Sequence, residues 1–447
     1  MKNATLILIS FIYTSFMFSQ ETINKFSLQE AIDFALENNR TAKNAVRNIE
    51  AAKKQKWETT ATGLPQISGN VDYTNWLKNQ VSMLPGELAG GEPGTFIPVT
   101  FSPKQSMNAT ATLNQLLFDG SYIVGLQSAK VYLEISQNAK TKTELEVRKA
   151  VINAYGNVLL AEENLTIVNR NIEVLQKNLD ETTKIYENGL TEEESVEQLQ
   201  ITLSSLENHL NNVVRSKNLA YKMFNITLGI DLQENTVLTD NLETLTLQNI
   251  SLELLKTDDH IENNIDYQIA KNQEVSKELL LKLEKSSFLP RLSAFVNAGY
   301  NSFSDKFTFT NNNQEWYGSS LLGVSLSIPV FSSGMRSAAT QRAQIDVEIA
   351  KEELTETEQQ LKFQIAAAKS DYQFAIEEYE NKRQSLNLAE RIEQKNQTKF
   401  FEGIASSFDL RQAQTQLYAT QQEFLQSMFN VIAKKAELET ILNTINY

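Results

Sequence analysis

Cysteine is absent from the 447 residues. Its absence excludes disulfides, thiolate metal centres, a cysteine nucleophile and a lipid-modified amino-terminal cysteine together. Histidine occurs twice, and no glycine-rich loop of the phosphate-cradling kind is present. Catalysis therefore has little raw material, and neither an enzyme nor a cofactor is expected. Asp258-Asp259-His260 lacks a second ligand cluster that would complete a metal site, and His209 sits among helical residues as a surface or packing histidine. Basic residues are in deficit: 41 Lys and Arg against 55 Asp and Glu leave a formal net charge of −14. That balance argues against a nucleic-acid partner. Glycine and proline, at 16 and 7, punctuate the chain sparsely, which favours few and long elements.

Long apolar runs are also missing. The opening MKNATLILISFIYTSFMFSQE holds one, Thr5 to Phe18, of about 14 residues: the length of a signal-peptide core and short of the ~20 a spanning helix needs. Residues 1–19 are expected to be a signal peptide cleaved after Ser19. No later stretch reaches the ~18 apolar residues of a spanning helix. If the exported protein enters a membrane, it does so as strands.

What is present is a repeat. LPQISGNVDY from Leu64 resembles LPRLSAFVNAGY from Leu289, and LLFDGSYIVGLQSAK from Leu116 resembles PVFSSGMRSAATQRAQ from Pro329. YENGLTEEESV from Tyr186 resembles FFEGIASSFDL from Phe400, and SLQEAIDFALENN from Ser27 has a weaker partner in SLELLKTDDHIENN from Ser251. The pairs keep their order at separations of about 210 to 225 residues, too long for a solenoid unit and suited to a duplication. Each half reads as a helix, two strands around a loop, a very long helix, a glycine-containing turn and another long helix.

The strands alternate with period two. Leu292, Ala294, Val296, Ala298 and Tyr300 interleave with Ser293, Phe295, Asn297, Gly299 and Asn301, and Leu322, Val324, Leu326 and Ile328 with Gly323, Ser325 and Ser327. Ile67, Val71 and Tyr73 alternate with Ser68, Asn70, Asp72 and Thr74, and the return strand sets Met107, Ala109, Ala111 and Leu113 against Asn108, Thr110, Thr112 and Asn114. Each strand has one apolar and one mostly polar face. The intervening PGELAGGEPG and FSDKFTFTNNNQEWYG have the composition of surface loops. The helices keep a spacing of three and four: Val151, Ala154, Val158, Ala161, Leu165, Val168, Ile172, Leu175 and Leu179 in one, and Val196, Leu199, Leu203, Leu206, Leu210, Val213, Ala220 and Phe224 in the next, with Lys217 as its polar interruption. Leu361, Ile365, Ala368, Tyr372, Ala375 and Tyr379 continue the pattern. A sustained 3.5-residue period means coiled-coil packing.

Strands of about 10 residues suit a bilayer crossed at a tilt, with apolar side chains outward and polar ones toward a lumen. Four strands cannot close a barrel, since the smallest have about eight, and open edges in lipid are costly. Several copies must share one barrel, with two copies giving eight strands and three giving twelve. Leu292, Val296, Val324 and Leu326 are the expected lipid-facing residues. Trp76 and Trp316, near strand ends, fit an interfacial aromatic belt or simple loop packing.

Two tandem halves, each with a strand pair, a strand-to-helix junction (Phe118-Asp119-Gly120; Phe331-Ser332-Ser333-Gly334) and a Gly-Leu-like turn between helices, resemble the TolC-type outer membrane efflux protein family. The likeness spans nearly the whole mature chain. It implies a mixed α+β membrane protein: a homotrimer with a twelve-stranded β-barrel shared in the outer-membrane lipid, and a long coiled-coil α-helical barrel in the periplasm. The expected division is a first repeat at 20–230 (strands about 66–76 and 107–118, helices 121–188 and 192–228), a connecting segment at 231–263, and a second repeat at 264–447 (strands about 290–303 and 317–330, helices 335–402 and 405–445). The resemblance further implies an exit duct for small toxic compounds or other cargo, engaging a periplasmic adaptor and an inner-membrane pump. A duct for secreted polypeptides would share the fold. A periplasmic coiled-coil structural protein is the reading from another class, distinguished by extraction without detergent.

By the same resemblance, Gly189, Leu190, Gly403 and Ile404 would be the helix-turn tips on which the adaptor docks, where glycine also serves a tight helix-ending turn. Asp409 would contribute to an acidic ring at the periplasmic aperture, while Gln412 replaces the family's second aspartate. Glu192, Glu193 and Glu194 could add charge to the aperture, or simply favour a helix amino terminus.

Overall fold

The computed structural model describes residues 24–257 and 260–443. The expected signal peptide and the Asp258-Asp259 pair lie outside them. In chain order the elements are β1 (Asn24–Phe26), α1 (Leu28–Asn38), α2 (Arg40–Ala61), β2 (Gln66–Asn75), β3 (Ser82–Pro85), β4 (Phe96–Val99), β5 (Gln105–Phe118), α3 (Gly120–Glu187), α4 (Glu193–Leu228), β6 (Thr236–Leu238), α5 (Leu242–Gln248), α6 (Ile265–Ser286), β7 (Arg291–Ser304), β8 (Tyr317–Ser327), α7 (Met335–Phe401) and α8 (Ser407–Leu442). Two compact units result. A helical unit takes the chain up to Asn48, Gln137–Ala270 and from Thr355 onward, and a sheet unit takes Ile49–Ser136 and Lys271–Leu354.

In the helical unit, α3 and α4 meet along the three-four seam. Val168 and Leu175 pack with Leu199, Leu203, Leu206 and Val213. A larger core gathers Val151, Tyr155 and Val158 of α3, Phe224 and Leu228 of α4, Tyr372 and Tyr379 of α7, and Leu425, Val431 and Ile432 of α8. Short pieces are clamped onto it. β1 pairs parallel with β6, in the order Asn24 with Thr236 through Phe26 with Leu238. The fully buried Tyr155 donates its hydroxyl to Phe26 O (3.0 Å) and Asp240 Oδ2 (2.7 Å). Tyr372, at the corresponding place in the second half, donates to Asn249 O (2.6 Å) and accepts from Ser251 N (2.8 Å). Each tyrosine satisfies backbone polar groups inside an otherwise apolar core. Tyr155→Phe leaves the Phe26 carbonyl its bond from Thr239 N (3.0 Å) and the Asp240 carboxylate its bond from Leu28 N (2.7 Å). The cost is that of the lost hydrogen bond to a charged group, about 1.5–3 kcal/mol. Hydrogen exchange in residues 24–28 and 236–240 should accelerate accordingly, and unchanged exchange would show that the hydroxyl holds nothing.

The sheet unit is built on four antiparallel strands in the order β2-β5-β7-β8. The register sorts their side chains. One row sets Ile67, Leu113, Val296 and Leu322 side by side, another Val71, Ala109, Tyr300 and Gly318, and a third adds Ala294 beside Val324. The rows between them hold Ser68, Thr112, Asn297 and Leu321; Asn70, Thr110, Gly299 and Ser319; and Asp72, Asn108, Asn301 and Tyr317. One face is thus mostly apolar, broken by Gln115 beside Ala294 and by Ser320 beside Ala298, and the other is hydroxyl- and amide-rich. Leu321 and Phe295 are apolar intruders on the polar face, and Phe295 lies over Gly323, where a Cβ would come 2.5 Å from the ring.

The loop around PGELAGGEPG carries more structure than its composition suggests. β3 and β4 pair through Met83 with Pro98 and Leu84 with Ile97. Four-residue strands are too short to register as alternation in the sequence. At the other hairpin's loop, Tyr73, Phe307, Phe309 and Trp316 form a chain of edge-on ring contacts at 5.6–6.5 Å. The β5–α3 junction is fixed by Asp119, whose Oδ1 accepts from Ser121 N (2.7 Å) as a helix cap. Its Oδ2 lies 3.4 Å from Arg291 Nε.

Candidate functional site

Two places combine chemistry with exposure: the faces of the sheet, and the turns joining the paired helices. The apolar sheet face is open to its surroundings, with Val71 71 %, Leu322 75 % and Val324 65 % exposed. Of the expected lipid-facing residues, Val296, Val324 and Leu326 are exposed and Leu292 is half-buried. All of them fall on the apolar face by register. β2 and β8 end the sheet with unpaired outer edges among the described residues. Among those residues, too, no helix is long and apolar enough to cross a membrane.

The turns are alike in detail. After α3, Gly189 takes φ +74°, its N–H reaches Tyr186 O (2.8 Å) and Leu190 N–H reaches Ile185 O (3.0 Å). After α7, Gly403 also takes φ +74°, donating to Phe400 O (3.0 Å), and Ile404 donates to Lys399 O (2.8 Å). This is the left-handed glycine stop, with its six-residue bond satisfying a terminal carbonyl. The residues it presents, Leu190 and Ile404, are 79 % and 70 % exposed. The turns together line a cleft of about 660 Å³ that includes Phe400, Phe401, Phe408, Glu192 and Glu194.

The acidic residues divide. Asp409 is engaged by its own helix: its carboxylate accepts from Ser406 N (3.0 Å) and Oγ (2.7 Å), closing a capping box on α8. Those bonds to the Ser406 side chain and backbone hold its pKa below the ordinary carboxylate range. A depressed pKa contributes stability at pH above the unfolded value and loses it as pH falls through the folded one. Amide exchange at Asp409 and Leu410 should therefore rise on acidification below about pH 4, the ordinary range for aspartate. A flat profile would remove the cap from that role. Glu192 is the N-cap of α4 without a side-chain capping bond, while Glu193 and Glu194 lie in its first turn. All three are exposed, as is Gln412.

Above the turns lies a polar layer that the sequence reading missed. Asn171 donates to Gln421 (2.8 Å), and Gln397 donates to Asn178 (2.9 Å). Gln414 is 1 % exposed and faces the Glu393 carboxylate, and the fully buried Thr182 has no hydroxyl partner among the described residues. Burial pushes the Tyr418 phenol up to about 12, with the Glu393 carboxylate adding to it, and burial also raises Glu393 itself. The signal was there: Asn171 and Asn178, and Gln414 and Gln421, recur at the heptad interval within otherwise apolar seams.

Residues 31–222 and 259–444 match the model of the family described as outer membrane efflux protein. This chain belongs to that family. Its place is the outer membrane, and its work is transport rather than catalysis. The chain is 22 % identical over 358 residues to the outer membrane protein TolC of Vibrio cholerae serotype O1, covering 77 % of this chain and 79 % of that one. Among solved structures it resembles CusC, with a TM-score of 0.75 at 18 % identity over 93 % of this chain and 91 % of that one. VceC of Vibrio cholerae gives 0.70 at 16 % identity, over 93 % and 95 % of the two chains. At such identities the structural likeness speaks for the family's fold, a long helical body with a sheet domain.

Proposed function

We propose that three copies of this chain share one twelve-stranded barrel in the outer membrane and continue it as a helical tunnel, forming the exit duct of a tripartite export system. The observation that carries this reading is the sheet register: a predominantly apolar face, interrupted by Gln115 and Ser320, spans β2, β5, β7 and β8, and the sheet ends in two unpaired edges among the described residues. An apolar face of that extent needs lipid, and edges in lipid need partners. CusC, similar in fold, is a protein in which conformational changes accompany folding and transmembrane channel formation. Leu292, Val296, Val324 and Leu326 are the lipid-facing residues of this barrel. Cargo, small toxic compounds foremost, passes without chemistry and is driven by an inner-membrane pump.

The chain is two tandem repeats, 20–230 and 264–447, joined by 231–263. The two family-matched segments and the paired turns support that division. Gly189, Leu190, Gly403 and Ile404 present the surface on which a periplasmic adaptor docks. Asp409, Gln412 and Glu192 to Glu194 stand around the periplasmic aperture. Asp409 does so while capping α8, and its share in an acidic ring is tested by Asp409→Ala, which should weaken cation block of conductance. The test of the duct is electron microscopy of protein extracted from outer membranes in mild detergent. Tubes with threefold end views are expected. Particles that stay soluble without detergent and show no such end view would overturn it.

A further inference from the structure

The four long strands contain two charged residues, Asp72 and Arg291. Both fall on the polar face by register, Asp72 in the row with Asn108, Asn301 and Tyr317, and Arg291 opposite Ser327 at the far end of the sheet. They differ in company. Arg291 is matched by the Asp119 carboxylate, 3.4 Å from Nε to Oδ2. Asp72 is exposed and has neither an ion pair nor a hydrogen bond to its side chain among the described residues. The rest of that face offers hydroxyls, amides and a few apolar side chains. A polar wall with one unmatched carboxylate carries one fixed charge per copy at a single level. In a closed barrel those charges repeat around one ring, where they attract cations and repel anions.

We propose that Asp72 sets the charge preference of the lumen, making the barrel segment favour cationic over anionic solutes of equal size. The inference rests on the shared-barrel reading and assigns the lumen a selectivity filter of its own, apart from the helix turns. Because its partners are water and ions, the effect is screened, with a Debye length of about 10 Å at 0.1 M salt and about 3 Å at 1 M.

The test is the reversal potential of the reconstituted full-length protein across a planar bilayer under a KCl gradient. Wild type should favour potassium. Asp72→Asn, nearly isosteric and on an exposed site, should lower the cation-to-anion permeability ratio roughly three-fold at low salt and much less near 1 M. Asp72→Lys should move it further toward anions. An unchanged ratio for both variants overturns the proposal. The cysteine-free background permits a separate check of the face itself. Asp72→Cys should react with a membrane-impermeant cationic thiol reagent and shift toward anions, while Val71→Cys should be shielded by lipid. Equal reactivity of the two variants would overturn the barrel reading and this proposal with it. Selective labelling of Asp72→Cys beside an unaltered ratio in Asp72→Asn overturns this proposal alone.

Discussion

Val324→Arg is expected to prevent accumulation of assembled protein in the outer membrane, while its neighbour Ser325→Arg assembles close to wild type. The two positions are adjacent on β8 and differ in face: Val324 pairs with Ala294 on the apolar side, Ser325 with Ser293 on the polar side. A lipid-facing arginine near mid-bilayer costs about 2–4 kcal/mol. In a shared barrel the penalty recurs in every copy, so a trimer would bear roughly three times that cost, comparable to the whole stability of many domains. At Ser325, in the proposed barrel, the guanidinium would instead meet a water-filled lumen and alter conductance without opposing insertion. Heat-modifiable mobility of the extracted assembly on gels, with its yield per cell, reads both outcomes. Equal losses from the two variants would dismantle the assignment of faces.

Gly229→Ala should lower the melting temperature far more than Gly189→Ala, although both glycines end a helix in the left-handed region, at φ +86° and +74°. The shared backbone strain is about 1–2 kcal/mol. At Gly189 a Cβ meets nothing within 4 Å, so strain is the whole cost. At Gly229 it would stand 2.5 Å from Asn38 O, 2.8 Å from Asn38 C and 3.0 Å from Asn39 Cα. Those are backbone atoms that no rotamer change can move. The end of α4 abuts the α1–α2 corner there, with Asn39 Nδ2 donating to Thr227 O (2.8 Å). Displacing that contact adds about 1–3 kcal/mol of overpacking. Comparable melting temperatures for the two variants would mean that the corner yields freely.

The contrast between those glycines also marks how far the chain could be read without coordinates. Gly189 was legible as a turn because it sits between two three-four seams, and Gly403 because FFEGIASSFDL repeats the stretch from Tyr186. Gly229 was not, because its constraint comes from Asn38, distant in sequence. The period-two stretch from Leu292 to Tyr300 was legible for a similar reason: a face is a local property of a strand. The register between β5 and β7 was not local. It joins the two halves through pairs such as Leu113 with Val296, and it shifts at Leu116/Phe118. Lys217, an interruption in the α4 seam, proves to reach Glu162 Oε1 at 3.0 Å on α3. The period detected the break but could not supply the partner. The same holds for Tyr372, which looked like an ordinary seam residue, and for Tyr155, which the seam passed over; both hydroxyls anchor segments far away in the chain. Asp409 was singled out by resemblance for an aperture, and its capping bonds to Ser406 were there in the serine three residues earlier, a capping-box spacing.

The number of strands per chain has a consequence for how copies join. Neighbours alternate in direction along β2-β5-β7-β8, and four is even, so the two outer strands point opposite ways. A β8 edge meeting the β2 edge of the next copy is antiparallel, like every pairing inside the chain. The seams between copies would then obey the same hydrogen-bond geometry as the interior. A chain with an odd count would place a mismatched parallel pair at each of its seams. Doubling a hairpin-bearing half preserves evenness automatically, so in the proposed shared barrel a duplication would give a ring without a weak joint.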